Sequence, residues 1–535
     1  MFAQLRSTYV RLPRPGGNTG SRPLRLWFLA FVGFGLTIGG WALAAPYDGS
    51  GDESWHTLRA YQVASGDIAP EPAAAVGGTG AYQWGPNNLY VSNCWRTFPD
   101  RSAACTRDRT FPSTLVRFGN PAGRYNPAYY ALVGGPIKIW PNMTGVILAR
   151  LISAALAAAL LAAALVSVVQ YSRHRLMLGA LLLGATPMAI SISGAINPNG
   201  VEIAAGIAFF ASAIPLLIGA ARERPPTWLV CVTVVSAVVL VTVRSGGPVW
   251  LALGAFALLL PLRLRTFRQV LRPVALRWGV LVVAGAGVAS VLWILIMKST
   301  VLATFRVNVQ LDDDQIFLIE LERWPYLVHQ MVGVLSWVNA YMFGPAYLLW
   351  EFPVAALLLV ALVVGSRLDR ARLLIVIGGT VAVAAITEMN GATRVGFVNQ
   401  GRYLLPTLSG ALLLAAWVIE QRGAITATRA RLITRFVVVV TLPIQLHALQ
   451  VAMVRFQRGI PKNPYLSFYN PFVGSWHPQV GSVLPILSAT LGLLLLGVLC
   501  WRHAAGPGEP LPAEQAAGTE ASSDQRDLST SHAVS

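Results

Sequence analysis

Long apolar runs alternate with short polar segments along most of this 535-residue chain. The first run is Leu26–Ala45 and the last is Val480–Trp501. The runs between them are Val146–Gln170, Leu176–Ala195, Val201–Ala221, Trp228–Val243, Pro248–Leu262, Trp278–Met297, Phe343–Val364, Leu373–Glu388, Tyr403–Ile419 and Phe436–Val454. A helix that crosses a bilayer needs about 20 predominantly apolar residues. The pattern therefore predicts an all-α integral membrane protein with about 12 transmembrane helices.

Two apolar segments do not fit this pattern cleanly. Residues 126–140 are apolar but short, and Pro127 and Pro136 interrupt them. We expect a surface or re-entrant helix there, since proline disrupts a helix interior. Residues 327–342 are similarly ambiguous, and a re-entrant segment is one interpretation. The predicted number of spans depends on these two segments.

The polar segments divide the chain into a membrane domain and two tails. Residues 46–145 form the longest polar segment, which we interpret as a large first extracytoplasmic loop carrying short helices. Residues 1–25 are basic, and residues 502–535 are rich in Gly, Pro, Ser and Glu. We predict two cytoplasmic tails, the second one disordered, on either side of a membrane domain at 26–501.

Composition and charge support a multi-pass protein. Hydrophobic residues make up 55% of the chain and charged residues 12%, whereas soluble domains contain about 25% charged residues. The net charge of +18 comes from arginines in short loops. Alternating sides along the chain puts these loops inside, and puts Asp52, Glu53 and Asp312–Asp314 outside, as the positive-inside rule requires. The charge therefore reflects topology and not nucleic-acid binding.

The four cysteines fall into two pairs. Cys94 and Cys105 share one polar loop and are a candidate disulfide if that loop lies outside the cytoplasm, where the compartment is oxidising. Cys231 and Cys500 lie in apolar runs, and we interpret them as packing residues. The sequence has no CxxC or His-rich pattern of a metal site.

The densest group of titratable residues follows the first run. Asp52 and Glu53 precede His56 by four and three residues, so the three share a helix face. A carboxylate there can act as a general base. Acidic residues also stabilise the first turn of a helix, and a Glu-x-x-His pair can hold a metal ion. The residues alone leave these alternatives open.

Arginine and tyrosine residues near the outer ends of runs are candidates for substrate or phosphate binding. Arg402, next to Tyr403, can bind a phosphate through two hydrogen bonds, or it can be an interfacial arginine beside an aromatic anchor. An outward arginine runs against the positive-inside bias, which favours function. The other candidates are Arg59, Arg124, Tyr129, Arg150 and Arg244.

The remaining motifs mainly exclude functions. Asp312–Asp314 can bind a divalent cation or begin a helix, and a helix start is favoured. No Walker A, GxSxG or Rossmann fingerprint is present, so chemistry on soluble nucleotides has no visible site. Without a clear internal repeat, an inverted-repeat transporter is not favoured.

Several motifs occur together in a characteristic order. They are the acidic stretch at 52–62, Asn-Pro-Ala-Tyr-Tyr at 126–130, Ile-Asn-Pro-Asn-Gly at 196–200 and Gln-Gly-Arg-Tyr-Leu-Leu-Pro at 400–406. This order resembles the DUF2142 family, bacterial membrane proteins of unknown function that are similar to the GT-C superfamily of polytopic glycosyltransferases. The resemblance extends over about Leu26 to Trp501.

The resemblance implies a GT-C-like fold and a reaction at the outer face of the bacterial cytoplasmic membrane. A sugar would move from a polyprenyl-phosphate donor to an exported cell-envelope acceptor. Asp52 or Glu53 would be the base, His56 would orient it, and Arg402 would contact the donor phosphate. We expect Asp in place of Asn199 in many relatives.

No cofactor would be required, because lipid phosphate is a good leaving group, although a bound divalent cation remains an alternative. A transporter or flippase for lipid-linked glycans, or a non-catalytic assembly subunit, would also need outward-facing arginine and aromatic residues.

Overall fold

The computed structural model describes residues 21–71, 80–90, 93–106, 113–219, 225–264, 268, 271–299, 311–461 and 466–505. Across these ranges the chain is mostly helical, which confirms the predicted class of an all-α polytopic membrane protein. Residues 1–20 and 506–535, which make up most of the two predicted tails, lie outside the described residues.

The secondary structure follows the hydropathy pattern closely. The helices are α1 (Ser21–Ala44), α2 (Glu53–Ala64), α3 (Pro127–Ile139), α4 (Met143–Tyr171), α5 (Leu176–Gly184), α6 (Pro187–Ser193), α7 (Pro198–Leu217), α8 (Thr227–Val243), α9 (Gly247–Leu259), α10 (Val274–Met297), α11 (Asp313–Gly333), α12 (Gly344–Val364), α13 (Arg367–Val395), α14 (Leu405–Gln421), α15 (Ala427–Arg458) and α16 (Val483–His503). The strands are β1 (Ala81–Pro86), β2 (Leu115–Asn120), β3 (Val334–Leu335) and β4 (Ala340–Tyr341).

The predicted count of about 12 spans is not confirmed. Among the described residues, eight helices are long and apolar enough to cross a membrane, namely α1, α4, α7, α10, α12, α13, α15 and α16. Helices α5 and α6 pass the same test as a pair but are bent by 59°. Helices α8, α9 and α14 are apolar but have only 13 to 17 residues. Individual runs were thus located correctly, while several are shorter than a full span.

The bend between α5 and α6 exposes backbone carbonyls that a continuous helix would use internally. Three consecutive carbonyls, those of residues 183–185, accept hydrogen bonds from side chains of other helices. The donors are Trp350 Nε1 at 3.0 Å, Ser409 Oγ at 3.0 Å and Gln445 Nε2 at 2.6 Å. Since lipid offers no hydrogen bonds, these contacts allow a broken helix within the bundle of a membrane protein.

The two ambiguous segments form short elements. Residues 127–139 form the 13-residue helix α3, which is not among the candidate spans. Residues 327–342 complete α11 and then form the hairpin β3–β4. At the start of α11, Gln315 Oε1 accepts a hydrogen bond from the Asp312 N–H at 3.1 Å. The acidic run therefore begins a helix.

The segment 46–145 carries short helices, as predicted, and also a hairpin that was not predicted. Helices α2 and α3 pack closely, since a Cβ at Gly134 would lie 2.3 Å from the Ala60 carbonyl oxygen. Strands β1 and β2 pair antiparallel over their whole length. Cys94 and Cys105 form a disulfide with a Cα–Cα distance of 6.2 Å.

Helix α7 lies at the centre of the bundle and packs against α4, α8 and α14. Close packing with α14 depends on Gly206, where a Cβ would lie 2.3 Å from the Pro406 carbonyl oxygen. In contrast, α10 and α12 expose large apolar side chains such as Leu281, Leu295 and Leu348. An apolar outer surface of this kind is stable in lipid and not in water.

The two ends of the bundle differ in chemistry. Helix α14 has 17 residues, so its ends are about 25 Å apart. At its first end lies the turn Gly401–Tyr403. Near its other end, Glu420 accepts a hydrogen bond from the Arg173 N–H at 2.8 Å, and Arg422 pairs with Asp369. Arginine-bearing connections thus gather opposite the Gly-Arg-Tyr motif.

Candidate functional site

A cavity of about 860 Å³ lies where three segments meet. They are the turn before α2, the start of α9 and the turn Gly401–Tyr403. Of the residues predicted from the sequence, five line this cavity: Asp52, His56, Arg244, Arg402 and Tyr403. The structure therefore joins residues that are up to 351 positions apart in the chain.

Asp52 presents its carboxylate to the cavity and pairs with Arg402. The distance from Arg402 Nη2 to Asp52 Oδ2 is 2.7 Å, and the Asp52 side chain is 38% exposed. Asp52 directly precedes α2 and has a φ of 68°, in the left-handed region. Gly51 fits against the guanidinium, because a Cβ there would lie 2.9 Å from Arg402 Nη1.

Glu53 faces the interior of the bundle. It is fully buried and accepts hydrogen bonds from Arg150 Nε and Nη2, both at 2.6 Å, and from the Ile196 N–H at 3.1 Å. Its side chain is not part of the cavity wall. The two adjacent carboxylates, equivalent in the sequence, therefore have different environments.

Arg150 connects Glu53 to the end of α1. Besides its two bonds to Glu53, it donates to the carbonyls of Ala42, Ala45 and Pro46 at 3.2, 2.8 and 2.7 Å. These five bonds use the full donor capacity of a guanidinium. Arg150 lies outside the cavity wall, so it holds Glu53 and the end of α1 in position and does not face a ligand.

Asp48 stabilises the same turn, and sequence reasoning missed it. Its carboxylate accepts hydrogen bonds from the Ser54 N–H at 2.9 Å and from Asn93 Nδ2 at 3.0 Å. Burial raises the pKa of Asp48 to about 7. Its position four residues before Asp52, in a Gly-rich turn, was the available signal.

His56 lies on the cavity wall within an aromatic group. Its Nδ1 is 2.7 Å from the Tyr130 hydroxyl, and its ring stacks on Tyr125 and Tyr130 at centroid distances of 5.6 and 5.9 Å. Burial lowers the pKa of His56 to about 3. The imidazole is therefore neutral at physiological pH and offers hydrogen bonds without carrying a charge.

Tyr403 lies between two guanidiniums. Its ring centroid is 5.2 Å from the Arg402 guanidinium carbon and 4.6 Å from that of Arg244, distances that allow cation–π attraction. Arg244 directly follows α8 and pairs with the buried carboxylate of Glu202 at 3.0 Å. Two arginines and an aromatic ring thus form one side of the cavity.

The Asn-Pro-Asn-Gly motif at the start of α7 holds the predicted segments together. Asn197 Nδ2 donates to the Gly51 carbonyl at 3.1 Å. Asn199 Nδ2 donates to Glu202 at 3.0 Å and to the Arg402 carbonyl at 3.4 Å. The sequence indicated only a turn here. An aspartate at position 199 could not donate either bond, so asparagine suits this chain.

A second set of contacts supports the Gly-Arg-Tyr turn from α11. The Gly401 N–H donates to Gln330 Oε1 at 2.9 Å, and a Cβ at Gly401 would lie 2.3 Å from the Leu327 carbonyl oxygen. Arg323 pairs with both Glu320 and Glu388, at 2.9 and 3.2 Å. Glu320, Arg323 and Gln330 were not singled out in the sequence because they lie on a segment with weak motifs.

The other predicted binding residues lie outside the cavity wall. Arg59 Nη2 donates to the Ile68 and Tyr125 carbonyls at 2.6 and 3.0 Å. Arg124 Nη1 donates to the Met297 and Lys298 carbonyls at 3.1 and 2.8 Å, and the Tyr129 hydroxyl donates to Ser153 at 3.0 Å. These three side chains thus form hydrogen bonds within the protein and do not face the cavity.

The cavity combines its polar side with an apolar one. Val249 and Trp250 of α9 face it together with Val383 and Ile386 of α13. A cavity of this composition suits an amphiphilic ligand with a charged group and an apolar chain. Within the described ranges, no cluster of three or more His, Cys, Asp or Glu side chains is arranged to hold a metal ion.

Comparison with known proteins assigns the chain to a family. A family model described as a predicted membrane protein, DUF2142, matches residues 34–411. The chain belongs to the DUF2142 family, which confirms the resemblance found in its motifs. No curated protein matches the chain.

Two solved structures of ArnT from Cupriavidus metallidurans are similar to the chain. The one bound to undecaprenyl phosphate has 14% identity and a TM-score of 0.40, and the alignment covers 90% of this chain and 78% of the ArnT chain. The apo structure has 13% identity and a TM-score of 0.42, and covers 90% and 77%.

Proposed function

We propose that this DUF2142 protein is a membrane glycosyltransferase. It would transfer a sugar from a polyprenyl-phosphate donor to an exported cell-envelope acceptor, with the cavity as its active site. The observation that carries the proposal is the pair of Asp52 and Arg402 on the wall of a cavity with one charged and one apolar side.

Asp52 is the proposed general base. Its carboxylate is partly exposed in the cavity, whereas the Glu53 carboxylate is occupied by Arg150. In the transfer step, the acceptor oxygen bonds to the anomeric carbon while the bond from that carbon to the phosphate oxygen breaks. The acceptor proton moves to Asp52, and the lipid phosphate leaves with the bonding electrons.

Arg402 and Arg244 are the proposed phosphate-binding groups. Guanidiniums bind phosphate oxygens through charge-assisted hydrogen bonds. They would stabilise the negative charge that builds up on the leaving phosphate. The Tyr403 hydroxyl, 3.3 Å from Arg402 Nη2, lies within the same group.

The rest of the cavity fits the remaining parts of the substrates. Trp55, Tyr125 and Trp250 offer aromatic faces against which a sugar ring can pack. Val383 and Ile386 are suited to the first isoprene units of the lipid. Neutral His56 would orient the acceptor hydroxyl through a hydrogen bond.

The proposal has the cavity opening on the extracytoplasmic side. Support comes from the charge pattern, since the arginine-bearing connections gather at the opposite end of α14. The disulfide between Cys94 and Cys105 belongs to the same segment as Asp52, and an oxidising compartment suits it.

The test is complementation of a strain that lacks the protein, followed by analysis of its envelope glycans. Wild type and Glu71→Gln, which changes an exposed carboxylate of the same segment, should restore the missing product. Asp52→Asn should restore none at an equal protein level. Full product from Asp52→Asn would contradict the assignment and would favour the transporter or assembly subunit.

A further inference from the structure

We propose that Asp52 and the donor phosphate compete for Arg402, so that donor binding releases Asp52 to act as the base. This inference rests on the proposed function. It adds an order to the reaction, because the acceptor can be deprotonated only after the donor has entered.

The first argument is the charge balance of the cavity. Both arginines already have a carboxylate partner, Asp52 for Arg402 and Glu202 for Arg244. Two positive and two negative side chains sum to zero. If a phosphate entered while both ion pairs stayed intact, the cavity would carry a net negative charge. One carboxylate must therefore release its arginine.

The second argument identifies the carboxylate that gives way. Glu202 is fully buried and is also held by Asn199 Nδ2 at 3.0 Å. Asp52 is 38% exposed in the cavity and follows Gly51 in a turn, so its side chain can move away from Arg402 without becoming buried. Loss of its pair with Arg402 would leave its charge in contact with solvent and with the arriving acceptor.

The third argument is that Arg402 stays in place while its partner changes. Its side chain is only 4% exposed. Gly51 and the Tyr403 ring pack against the guanidinium, and Asn199 holds its carbonyl. Its Nε has no hydrogen-bond partner among the described residues. A guanidinium fixed in this way can exchange one anion for another at Nη2, the atom that now binds Asp52.

The Asp52 oxygen that Arg402 Nη2 holds is not free to accept the proton of an acceptor hydroxyl. In the empty protein the proposed base is therefore partly occupied. The donor supplies the anion that replaces it, and the freed carboxylate lies beside the newly bound phosphate. Kinetically, this gives ordered binding with the donor first.

The experiment measures binding of undecaprenyl phosphate to the full chain in lipid nanodiscs by native mass spectrometry. The proposal expects Asp52→Asn to bind about 3- to 5-fold more tightly than wild type, because the competing paired state is gone. Asp52→Ser should show the same direction, and Glu71→Gln should match wild type. Undecaprenol, which lacks the phosphate, should bind all four proteins equally.

Arg402→Gln provides the matched control. It should weaken binding on its own, and in the double variant it should remove the gain caused by Asp52→Asn. Equal or weaker binding by both Asp52 variants would overturn the competition. If the Asp52 variants still lacked transfer activity, the proposed function would stand without the competition for Arg402. Failure of wild type and every variant to bind the phosphate above undecaprenol would overturn the donor class as well.

Discussion

Glu53→Gln is expected to destabilise the protein, although Glu53 does not face the cavity. The carboxylate receives three hydrogen bonds, two from Arg150 and one from the Ile196 N–H. Both side chains of the ion pair are fully buried. Glutamine removes the charge and turns an NH₂ group toward a guanidinium that can only donate.

The size of the effect follows from these contacts. Breaking a buried ion pair by changing one partner costs about 3–5 kcal/mol, because the other charge remains buried. Arg150 keeps its bonds to three carbonyls of residues 42–46, which reduces the loss. We therefore expect a loss of about 3 kcal/mol in the free energy of unfolding. Asp52→Asn, the neighbouring change of equal charge, should lose about 1 kcal/mol or less, since its pair is partly exposed.

The assay is unfolding of the purified protein in mixed micelles by SDS titration, followed by tryptophan fluorescence. A double-mutant cycle with Arg150→Gln isolates the pair, and the double variant should lose less stability than the two single variants together. Additive losses, or a Glu53→Gln variant as stable as Asp52→Asn, would refute the reasoning.

Three further predictions concern residues outside the cavity wall. Asp48→Asn should gain stability relative to wild type, by about 3 kcal/mol, as pH rises from about 4 to about 7. Because burial raises the pKa of Asp48 to about 7, the wild-type fold loses stability as pH rises through this range, whereas asparagine does not titrate. SDS titrations at pH 5 and pH 8 check this, and a gap that does not change with pH would contradict it. Asn199→Asp should lose about 2–3 kcal/mol, more than Asn199→Ala, because it places a second carboxylate beside Glu202 and removes two donated bonds; heat resistance of the solubilised protein is the measurement, and equal losses would exclude the repulsion. Cys94 and Cys105 should react with maleimide only after reduction, with Cys94→Ser costing about 2–3 kcal/mol; labelling without a reductant would contradict the disulfide.

Hydropathy located the helices well, because a helix in lipid needs a continuous run of apolar residues, and such a run is visible in the sequence. The predicted run Val146–Gln170 is α4, Met143–Tyr171, and the predicted run Phe343–Val364 is α12, Gly344–Val364. The predicted count of spans is not confirmed, because the apolar helices α8, α9 and α14 have only 13 to 17 residues. The hairpin β1–β2 was missed because the segment around it is rich in turn-forming residues.

The site was predictable only in part, because its geometry depends on distant partners. Asp52 and Glu53 are indistinguishable locally, and their environments are set by Arg402 and Arg150, which lie 350 and 97 residues away. Arg402, Tyr403 and His56 line the cavity, and their motifs had singled them out in the sequence. The connecting role of Asn199 left no local signal beyond that of a turn.

During synthesis, the bend between α5 and α6 enters the bilayer long before its partners exist. Its exposed carbonyls bind Trp350, Ser409 and Gln445, and the earliest of these follows the bend by 167 positions. Until then the bend needs water, or a protein that assists insertion, because unpaired carbonyls in lipid are costly. A chain that stops before α12 would keep all three of these carbonyls without their side-chain partners. Maturation is thus tied to completion of the C-terminal helices.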